Sequence, residues 1–405
     1  MLKTERLYYD NSFLYEFEAA VAEASPAENG RHQVVLDRTA MYPSSGGQPF
    51  DTGVLHAQGR EYRVVEVAER ESGDAVVHFL EGSPDLPPGM PVRVRIDEPR
   101  RRDHMQQHSG QHVLSAAFLE LFQLPTVSFH LGEEVCTIDL DANSLVPAQV
   151  EAAERLANRI VTEDRAVTIR YAGVEEARQM GIRKLPPRPG TIRIIDMGGF
   201  DLTACGGTHV RSTGQIGPIL LRKCEKVRQG MRVEFVCGER GVRASRREFL
   251  ALTQAAEALS AAPADLPAQV ARLAAELKAS QKTEARLLEQ IADYEARELS
   301  AGAQQQGRRA VVKSYSDRDA VYARLVAKGC VAHGAAAALV TTTLGSPAVI
   351  LAAASNAGLN AGAILKQALA EAGGRGGGSP ELAQGGVADP EKLRRLTEKI
   401  ASQIA

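Results

Sequence analysis

The chain has no tryptophan, five cysteines and no apolar run of the length that a membrane span requires. A spanning helix needs about 18 or more consecutive apolar residues. The N-terminal segment is charged early and has no apolar stretch of signal-peptide length. An odd and sparse cysteine count also argues against a disulfide framework. These absences predict a protein without a membrane span, in the reducing environment of the cytoplasm.

The chain also has no large excess of one charge. It contains 48 Lys and Arg residues and 50 Asp and Glu residues, which gives a formal net charge of -2. No global positive field is expected, so any contact with nucleic acid must depend on local basic clusters. The 405 residues, 44% of them hydrophobic and 24% charged, are typical of a soluble globular protein with several domains.

Two pairs of metal-type ligands, each with three residues between its members, are the most informative feature of the chain. His108 and His112 lie in a segment with helical pattern, and Cys205 and His209 flank Gly206-Gly207-Thr208. Residues four apart on a helix share one face, so the two histidines can bind one cation together. A thiolate with three imidazoles is a nitrogen and sulfur set that suits zinc. The four residues therefore predict a zinc site inside a folded domain.

The histidine pair taken alone could be an ordinary polar face of a helix, and it is the Cys/His pair that favours a metal site. A zinc protease needs Glu directly after the first histidine, and Ser109 occupies that position here. His104 lies one turn before His108, and it is either a spare ligand, an orienting partner or a plain polar residue.

The pattern along the chain predicts a multidomain α+β protein of four parts. Residues 1–98 alternate in short runs between turn clusters and predict a β-barrel; residues 92–96 should be a strand with one basic face. Residues 99–240 mix helices and strands and hold the four ligands, so they predict an α+β domain. We expect a helical arm at 241–305 and a small α/β domain with a Gly-rich loop at 306–405.

Within the arm, one heptad seam joins six residues: Val270, Leu273, Leu277, Leu287, Ile291 and Tyr294. Ser280 and Glu284 interrupt that seam, so we expect a short arm or hairpin rather than a long stable coiled coil. Pro263 and Pro267 should mark a break between two helices. Homodimerisation through the arm or the C-terminal domain stays open, since the seam alone does not decide it.

Two Gly-rich segments could bind ligands. In residues 36–53, a hairpin turn would explain the Pro, Ser and Gly residues, yet the density of polar side chains also fits a small polar substrate. Its candidate contacts are Ser44, Ser45, Gly46 and Gly47, with Gln48 as a candidate catalytic residue. In residues 373–386, the glycines around Arg375 form either a flexible linker or a cradle for an anion.

Basic residues cluster near the ligand segments. Each cluster alone could be a solvated face, but together they fit a polyanion that lies across the metal site. The candidate RNA-contacting residues are Arg101, Arg102, Arg183, Lys184, Arg222 and Lys223.

Several of these motifs together resemble the editing domain of alanyl-tRNA synthetase. The matching segments are residues 42–48, 105–115, 205–210 and 213–216, while residues 373–386 resemble the signature of that enzyme's C-terminal domain. The resemblance covers nearly the whole chain, and the β region begins almost at residue 1. It therefore implies a freestanding alanyl-tRNA editing protein of the long type.

This resemblance implies a zinc-dependent deacylase that hydrolyses tRNA(Ala) mischarged with serine or glycine. It carries the ligand role over to His108, His112, Cys205 and His209, and Gln111 joins Gln48 as a candidate to hold the attacking water. A pocket that fits alanine also admits glycine, since one methylene is worth only about 1–3 kcal/mol. Two alternatives are a deacylase of another mischarged tRNA, such as seryl-tRNA(Thr), and a zinc-stabilised RNA-binding protein without catalysis.

Overall fold

The computed structural model describes residues 3–27, 30–71, 73–183, 190–228 and 230–405. The chain divides into two compact units, Met1–Gln254 and Ala255–Ala405. In the described ranges, no helix combines the length and apolarity needed to cross a bilayer. The predicted multidomain α+β character is confirmed at this level.

The first strands of the chain build the predicted barrel. Their bounds are β1 (Glu5–Arg6), β2 (Glu16–Pro26), β3 (Arg31–Leu36), β4 (Arg38–Thr39), β5 (Gly53–Ala57), β6 (Arg60–Glu69), β7 (Val76–Glu81) and β8 (Pro91–Ile96). Six of them close in the order β2-β3-β7-β6-β5-β8, and β1 pairs with β4 in parallel. On β8, Val92, Val94 and Ile96 are buried while Arg93 and Arg95 are exposed, as the period of two predicts.

Helix α1 (Glu98–Phe122) carries both histidines of the first ligand pair. The side chain of Asp97 caps it by accepting from the amide of Arg100, and Pro99 stands in the first turn, where no N–H donor is needed. The Asp97-Glu98-Pro99 sequence thus sets the start of the helix at Glu98. It ends at Gln123, whose φ is 57°.

The rest of the first unit packs around α1. Its helices are α2 (Pro147–Thr162) and α3 (Val174–Gln179), and its strands are β9 (Thr126–Leu131), β10 (Cys136–Leu140), β11 (Val167–Gly173), β12 (Thr191–Met197), β13 (Leu202–Ala204), β14 (Ile219–Val227) and β15 (Gly230–Cys237). They form an antiparallel sheet in the order β14-β15-β10-β9 and a second in the order β11-β12-β13. Leu114 and Phe118 of α1 join Ile138, Ile160 and Phe235 in one buried core.

The helical segment after β15 consists of α4 (Gly238–Ala258) and α5 (Leu266–Gln305), with a short 3-10 turn at Pro263–Asp265 between them. A five-stranded sheet follows, in the order β16-β17-β18-β20-β19. The remaining bounds are β16 (Ala310–Tyr315), α6 (Ala320–Ala332), β17 (Ala337–Thr342), β18 (Ala348–Ala353), α7 (Ala361–Ala372), β19 (Arg375–Gly378), β20 (Leu382–Gly386) and α8 (Pro390–Ile404). The break predicted at the two prolines thus coincides with a change of helix.

The C-terminal Gly-rich segment is an ordered hairpin of β19 and β20, so the linker interpretation is wrong. A Cβ atom at Gly376 or at Gly385 would overlap Leu369 of α7. The glycines therefore let a helix approach the hairpin closely. This packing requirement accounts for Gly376 and Gly385 without a bound anion.

Gly110 provides the first test of the fold. A Cβ atom there would collide with the sulfur of Cys237 and press on Ile216 at 3.3 Å. We expect Gly110→Ala to lower the free energy of unfolding by about 1–3 kcal/mol through overpacking. The gain in helix propensity, about 1 kcal/mol, is too small to compensate.

Gly302, in α5, is the matched control, because a Cβ there would meet no atom within 4 Å. Gly302→Ala should raise the melting temperature, measured by circular dichroism, whereas Gly110→Ala should lower it. A higher melting temperature for Gly110→Ala would contradict the packing described for α1.

Candidate metal centre

The four predicted ligands meet in one buried group. One donor atom from each of His108, His112, Cys205 and His209 lies within 4.8 Å of the others. The sulfur of Cys205 is 3.3 Å from Nε2 of His108 and 3.3 Å from Nε2 of His209. Residues separated by about a hundred positions along the chain are thus gathered around one point.

These separations fit a metal ion of zinc's size. With bonds of about 2.3 Å to sulfur and about 2.0–2.1 Å to nitrogen, a tetrahedral site separates its donors by about 3.3–3.6 Å. Three of the four residues are fully buried and the fourth is half-buried. The group therefore could hold a metal, as its donor types predicted.

The orientation of each imidazole is fixed by a hydrogen bond at its other nitrogen. Nδ1 of His108 lies 2.7 Å from Oε1 of Gln48, and Nδ1 of His112 lies 2.9 Å from Oδ2 of Asp201. Nδ1 of His209 is 3.2 Å from the hydroxyl of Ser109. All three rings can therefore present Nε2 to a shared cation, the arrangement that metal-binding histidines usually show.

Asp201 and Ser109 were not predicted from the sequence as orienting groups. Both oxygens of Asp201 also accept from Arg183, at 2.9 and 3.1 Å, so the carboxylate is held from two sides. Ser109 additionally accepts from the amide of Val210, at 3.2 Å, which ties α1 to the Cys/His loop. Asp201 precedes Cys205 by four residues, and that proximity was the one available signal.

The Cys/His loop is positioned by its backbone. Arg193 donates to the carbonyls of Cys205 and Gly207, at 2.7 and 3.1 Å, and to that of Tyr9, at 2.8 Å. A Cβ atom at Gly207 would overlap the ring of His108. Glycine at this position is therefore needed for the loop to approach α1.

Electrostatics favour the ligand form of the cysteine. Burial by itself raises the pKa of the Cys205 thiol, but the imidazoles of His108 and His209 outweigh it and hold that pKa well below its usual value. Burial lowers the pKa of His112, yet its hydrogen bonds to Asp201 and Cys205 reverse the effect and raise the pKa to about 9. A cation that bound here at neutral pH would therefore displace a proton.

The candidate substrate loop adjoins this centre through Gln48. The side chain of Gln48 is buried; its Oε1 accepts from His108 and, at 3.1 Å, from the amide of Thr208, and its Nε2 donates to the Thr208 hydroxyl at 2.9 Å. Ser44, Gly46 and Gly47 are exposed and Ser45 is half-buried. Among the described residues, the structure records no side-chain hydrogen bond for the hydroxyl of Ser44 or of Ser45.

Two features of the structure require glycine at position 47. Its φ is 82°, in the left-handed region, and a Cβ atom there would press on the ring of Phe129 at 2.7 Å. The centroid of that ring lies 5.8 Å from the centroid of His108. The loop backbone thus packs on an aromatic ring that itself faces a ligand of the metal centre.

Two other predicted residues of α1 lie outside the four-residue group. Gln111 is buried and donates to the hydroxyl of Ser115, at 2.8 Å, which also accepts from Thr126 at 2.7 Å. His104 is also buried; burial and the charge of Arg100 lower its pKa to about 4. The spare-ligand interpretation of His104 is therefore not supported by its position.

Arg101 corrects one prediction. Its side chain is fully buried, where it pairs with Asp51 and donates to the carbonyls of Ser12, at 2.8 Å, and Ala40. Asp51 also accepts from the amide of Tyr42, at 2.6 Å. Arg101 therefore cannot contact RNA as predicted; it joins α1 to the loop between β4 and β5.

The other basic candidates have different surroundings. Arg102 is exposed and pairs with Glu98, and Lys223 is exposed and pairs with Glu225 at 2.5 Å. Arg222 pairs with Glu248, and Arg183 is held by Asp201. Lys184 lies outside the described residues.

Asp201 offers a test of this geometry. We expect Asp201→Asn to weaken zinc binding by about 10–100-fold. A neutral side-chain amide would replace the ionised carboxylate that holds Nδ1 of His112. Competition with a chelating dye would measure the affinity.

Asp139→Asn is the matched control, since Asp139 lies on strand β10 outside the four-residue group and accepts from Arg232 at 2.7 and 2.9 Å, as Asp201 does from Arg183. The control should bind zinc as the wild type does. Equal affinities for the wild type and Asp201→Asn would contradict the orienting role.

The family described as threonyl and alanyl tRNA synthetase second additional domain matches residues 192–233, which include Cys205 and His209. The families described as tRNA synthetases class II (A) and DHHA1 domain match residues 2–100 and 330–405. The resemblance to the editing and C-terminal domains of alanyl-tRNA synthetase is thus confirmed.

Curated relatives agree with these matches. The chain is 33% identical over 422 residues to the alanine–tRNA ligase of Pyrococcus abyssi, and 32% identical over 409 residues to that of Pyrococcus furiosus. Each alignment covers 99% of this chain and 44% of the ligase. The alanine–tRNA ligase of Methanosarcina barkeri is 31% identical over 409 residues, covering 97% of this chain and 43% of the ligase. The chain therefore spans less than half the length of these relatives.

Proposed function

We propose that this chain is a zinc-dependent deacylase of tRNA(Ala) mischarged with serine or glycine, and that it acts on tRNA charged by another enzyme. The observation that carries this proposal is the buried group of one thiol and three imidazoles, joined through Gln48 to an exposed loop with two unengaged hydroxyls. Similarity to alanine–tRNA ligases across 99% of the chain supports tRNA(Ala) as the substrate class.

Zinc, when bound, supplies Lewis-acid polarisation to an ester or lowers the pKa of water. The chain's own part is to hold the three imidazoles and the thiolate in place. Gln48 acts here as a positioning residue rather than as the base, because its carbonyl oxygen already accepts from His108 and from Thr208. Gln111 is likewise engaged, with Ser115.

Selection of serine over alanine follows from the hydroxyls of Ser44 and Ser45. A seryl group can hydrogen-bond to one of them, whereas an alanyl group would leave that hydroxyl without a partner when water is excluded. Such a loss costs about 1–3 kcal/mol, which corresponds to a preference of about tenfold or more. A site that reads a hydroxyl can thus spare the correct product.

In this proposal, exposed cations contact the phosphates of the tRNA backbone. Arg102 and Lys223 are exposed, and each is paired only with a surface carboxylate. Ion pairs of this kind are worth about 0–1 kcal/mol and exchange readily for phosphate. Binding should therefore weaken as salt concentration rises.

A second candidate is a deacylase of seryl-tRNA(Thr), because the family that matches residues 192–233 is described for both threonyl and alanyl tRNA synthetases. A third is an RNA-binding protein in which zinc is only structural. Chelation separates the last from an enzyme: lost hydrolysis with retained circular dichroism supports catalysis, and unfolding supports a structural metal.

The function is tested by following the decay of seryl-, glycyl- and alanyl-tRNA(Ala) with the purified zinc-loaded protein. Seryl and glycyl esters should be lost far faster than the alanyl ester. Cys205→Ala should reduce hydrolysis to the uncatalysed rate, because it removes the thiolate from the centre.

Cys224→Ala is the control for this experiment, since Cys224 is a half-buried cysteine of β14 outside the four-residue group. It should retain wild-type activity. Failure of the zinc-loaded wild type to hydrolyse any of the three substrates would overturn the proposal, and hydrolysis of seryl-tRNA(Thr) alone would favour the second candidate.

Ser44 yields a selectivity prediction. Ser44→Ala should slow hydrolysis of seryl-tRNA(Ala) about tenfold or more, by loss of one hydrogen bond to the substrate hydroxyl. Glycyl-tRNA(Ala) should be hydrolysed at the wild-type rate, because glycine has no hydroxyl to recognise. Equal losses on the two substrates would mean that Ser44 shapes the loop rather than reads the side chain.

A further inference from the structure

A cleft of about 360 Å³ lies between the N-terminal turns of α1 and α4 in the first unit. Its walls come from α1 between Pro99 and Gln106, from Glu133, and from α4 between Glu239 and Arg243. None of the four residues of the metal centre lines it. The deacylase proposed above therefore leaves this cleft without a role.

The two helical walls are held together by buried polar contacts. Nε of Arg240 donates to Oδ1 of Asp103 at 3.1 Å, and its Nη1 donates to the carbonyl of Gly132 at 2.7 Å. A Cβ atom at Gly238 would overlap the side chain of Gln106, so α4 begins directly against α1. The shape of the cleft is thus set by the packing of the first unit.

His104 of α1 contributes an unpartnered nitrogen to this wall. The residue is only 5% exposed, and its Nδ1 is buried with no hydrogen-bond partner among the described residues. Burial and the charge of Arg100 lower the pKa of the ring to about 4, so at neutral pH it is uncharged and carries one N–H. A buried polar atom without a partner costs stability, and native proteins rarely keep one. A ligand with an acceptor oxygen would supply the missing partner.

Most of the negative charge in the cleft is already neutralised. Asp103 pairs with Arg240, and Glu239 pairs with Arg243 at 2.8 Å. The third lining carboxylate, Glu133, is exposed and has no ion pair within the described ranges. Water therefore screens the one unpaired carboxylate.

Arg100 is the cation that these pairs leave available. It is half-buried, its Nε donates to the carbonyl of Phe50 at 3.0 Å, and its guanidinium stacks on the Phe50 ring at 5.5 Å. For its two terminal nitrogens, the described part of the chain provides no recorded hydrogen bond. Arg102, also in the wall, is exposed and pairs only with Glu98. The cleft thus combines an oriented guanidinium with an imidazole N–H.

This combination suits a phosphate group. A guanidinium binds two phosphate oxygens through parallel hydrogen bonds, and its stacking on an aromatic ring fixes its plane. A further phosphate oxygen then stays available for an imidazole, whereas a carboxylate would use both of its oxygens on the arginine. The first turn of α4 also brings backbone amides without helical acceptors to the same wall, and such amides favour anions.

We propose that the cleft between α1 and α4 binds a phosphate group, with Arg100 supplying the charge and His104 an N–H donor. The backbone of tRNA and a free phosphate compound share this chemistry. Where the phosphate belongs to tRNA, the inference rests on the proposed function, because it then names a contact of that substrate outside the metal centre.

Titration of the zinc-loaded full chain with inorganic phosphate, at constant ionic strength set with chloride, tests the site. The NMR signal of nitrogen-15-labelled His104, assigned with His104→Gln, should shift and saturate. Arg100→Gln should weaken phosphate binding, measured by calorimetry, about tenfold or more, through loss of a charged hydrogen-bonding partner. Absence of a saturating shift of the His104 signal would overturn the proposal.

Arg165→Gln is the matched control for Arg100→Gln. Arg165 is also half-buried, stacks on a phenylalanine ring, that of Phe200 at 5.7 Å, and donates to a backbone carbonyl, that of Gly198 at 3.4 Å. It does not line the cleft. This variant should bind phosphate as the wild type does, and an equal loss in both variants would contradict a site at Arg100.

His104→Phe separates binding from folding. The variant should unfold at the same temperature as the wild type or higher, because it replaces an unsatisfied nitrogen by an apolar ring of similar shape. It should nevertheless bind inorganic phosphate more weakly. Unchanged phosphate affinity, or a lower melting temperature by circular dichroism, would contradict the role given to the imidazole.

Uncharged tRNA(Ala) distinguishes the two sources of phosphate. If the tRNA backbone fills the cleft, tRNA should displace inorganic phosphate, and Arg100→Gln should reduce the slope of log affinity against log salt by about one. If a free phosphate compound fills it, the phosphate-induced shift should persist with tRNA bound, and that slope should not change. Neither measurement involves ester hydrolysis, so failure of the deacylase proposal and failure of this one are distinguishable.

Discussion

One nitrogen of each clustered imidazole is already hydrogen-bonded, and the metal centre depends on that constraint. Gln48, Ser109 and Asp201 each take the Nδ1 side of a different ring, so Nε2 is the nitrogen left to face the others. Without these partners, three buried rings could rotate or exchange protons among themselves. With them, the rings and the thiolate converge in a geometry that could hold a cation.

The same contacts connect the centre to the rest of the first unit. Gln48 belongs to the loop between β4 and β5, Ser109 to α1, and Asp201 to the turn before β13. The buried pair of Arg101 with Asp51 ties the loop between β4 and β5 to α1 a second time. Removal of one partner from a buried ion pair strongly destabilises a protein. The pair is therefore suited to holding two elements in fixed positions. The barrel therefore supports the loop, while the α+β core supports the ligands.

Spacing along the sequence was enough to predict that His108, His112, Cys205 and His209 meet, because a helix and a tight Gly-rich turn both bring residues four apart to one side. The period of two in residues 92–96 likewise predicted a barrel strand. The orienting partners were not predictable, since Asp201 and His112 are 89 residues apart and meet only in the folded chain. Arg101 was misjudged for a related reason. In a run of three arginines, composition does not reveal which one the helix turns inward. Ser280 and Glu284 suggested a short arm, yet α5 continues unbroken through both positions.

The most direct test of the metal centre is a zinc titration of the metal-free protein that follows seryl-tRNA(Ala) hydrolysis and bound zinc together. Activity should rise in proportion to bound zinc and stop rising at one zinc per chain, with the circular dichroism spectrum already native before zinc is added. Full hydrolysis by the metal-free protein would contradict a centre built from His108, His112, Cys205 and His209.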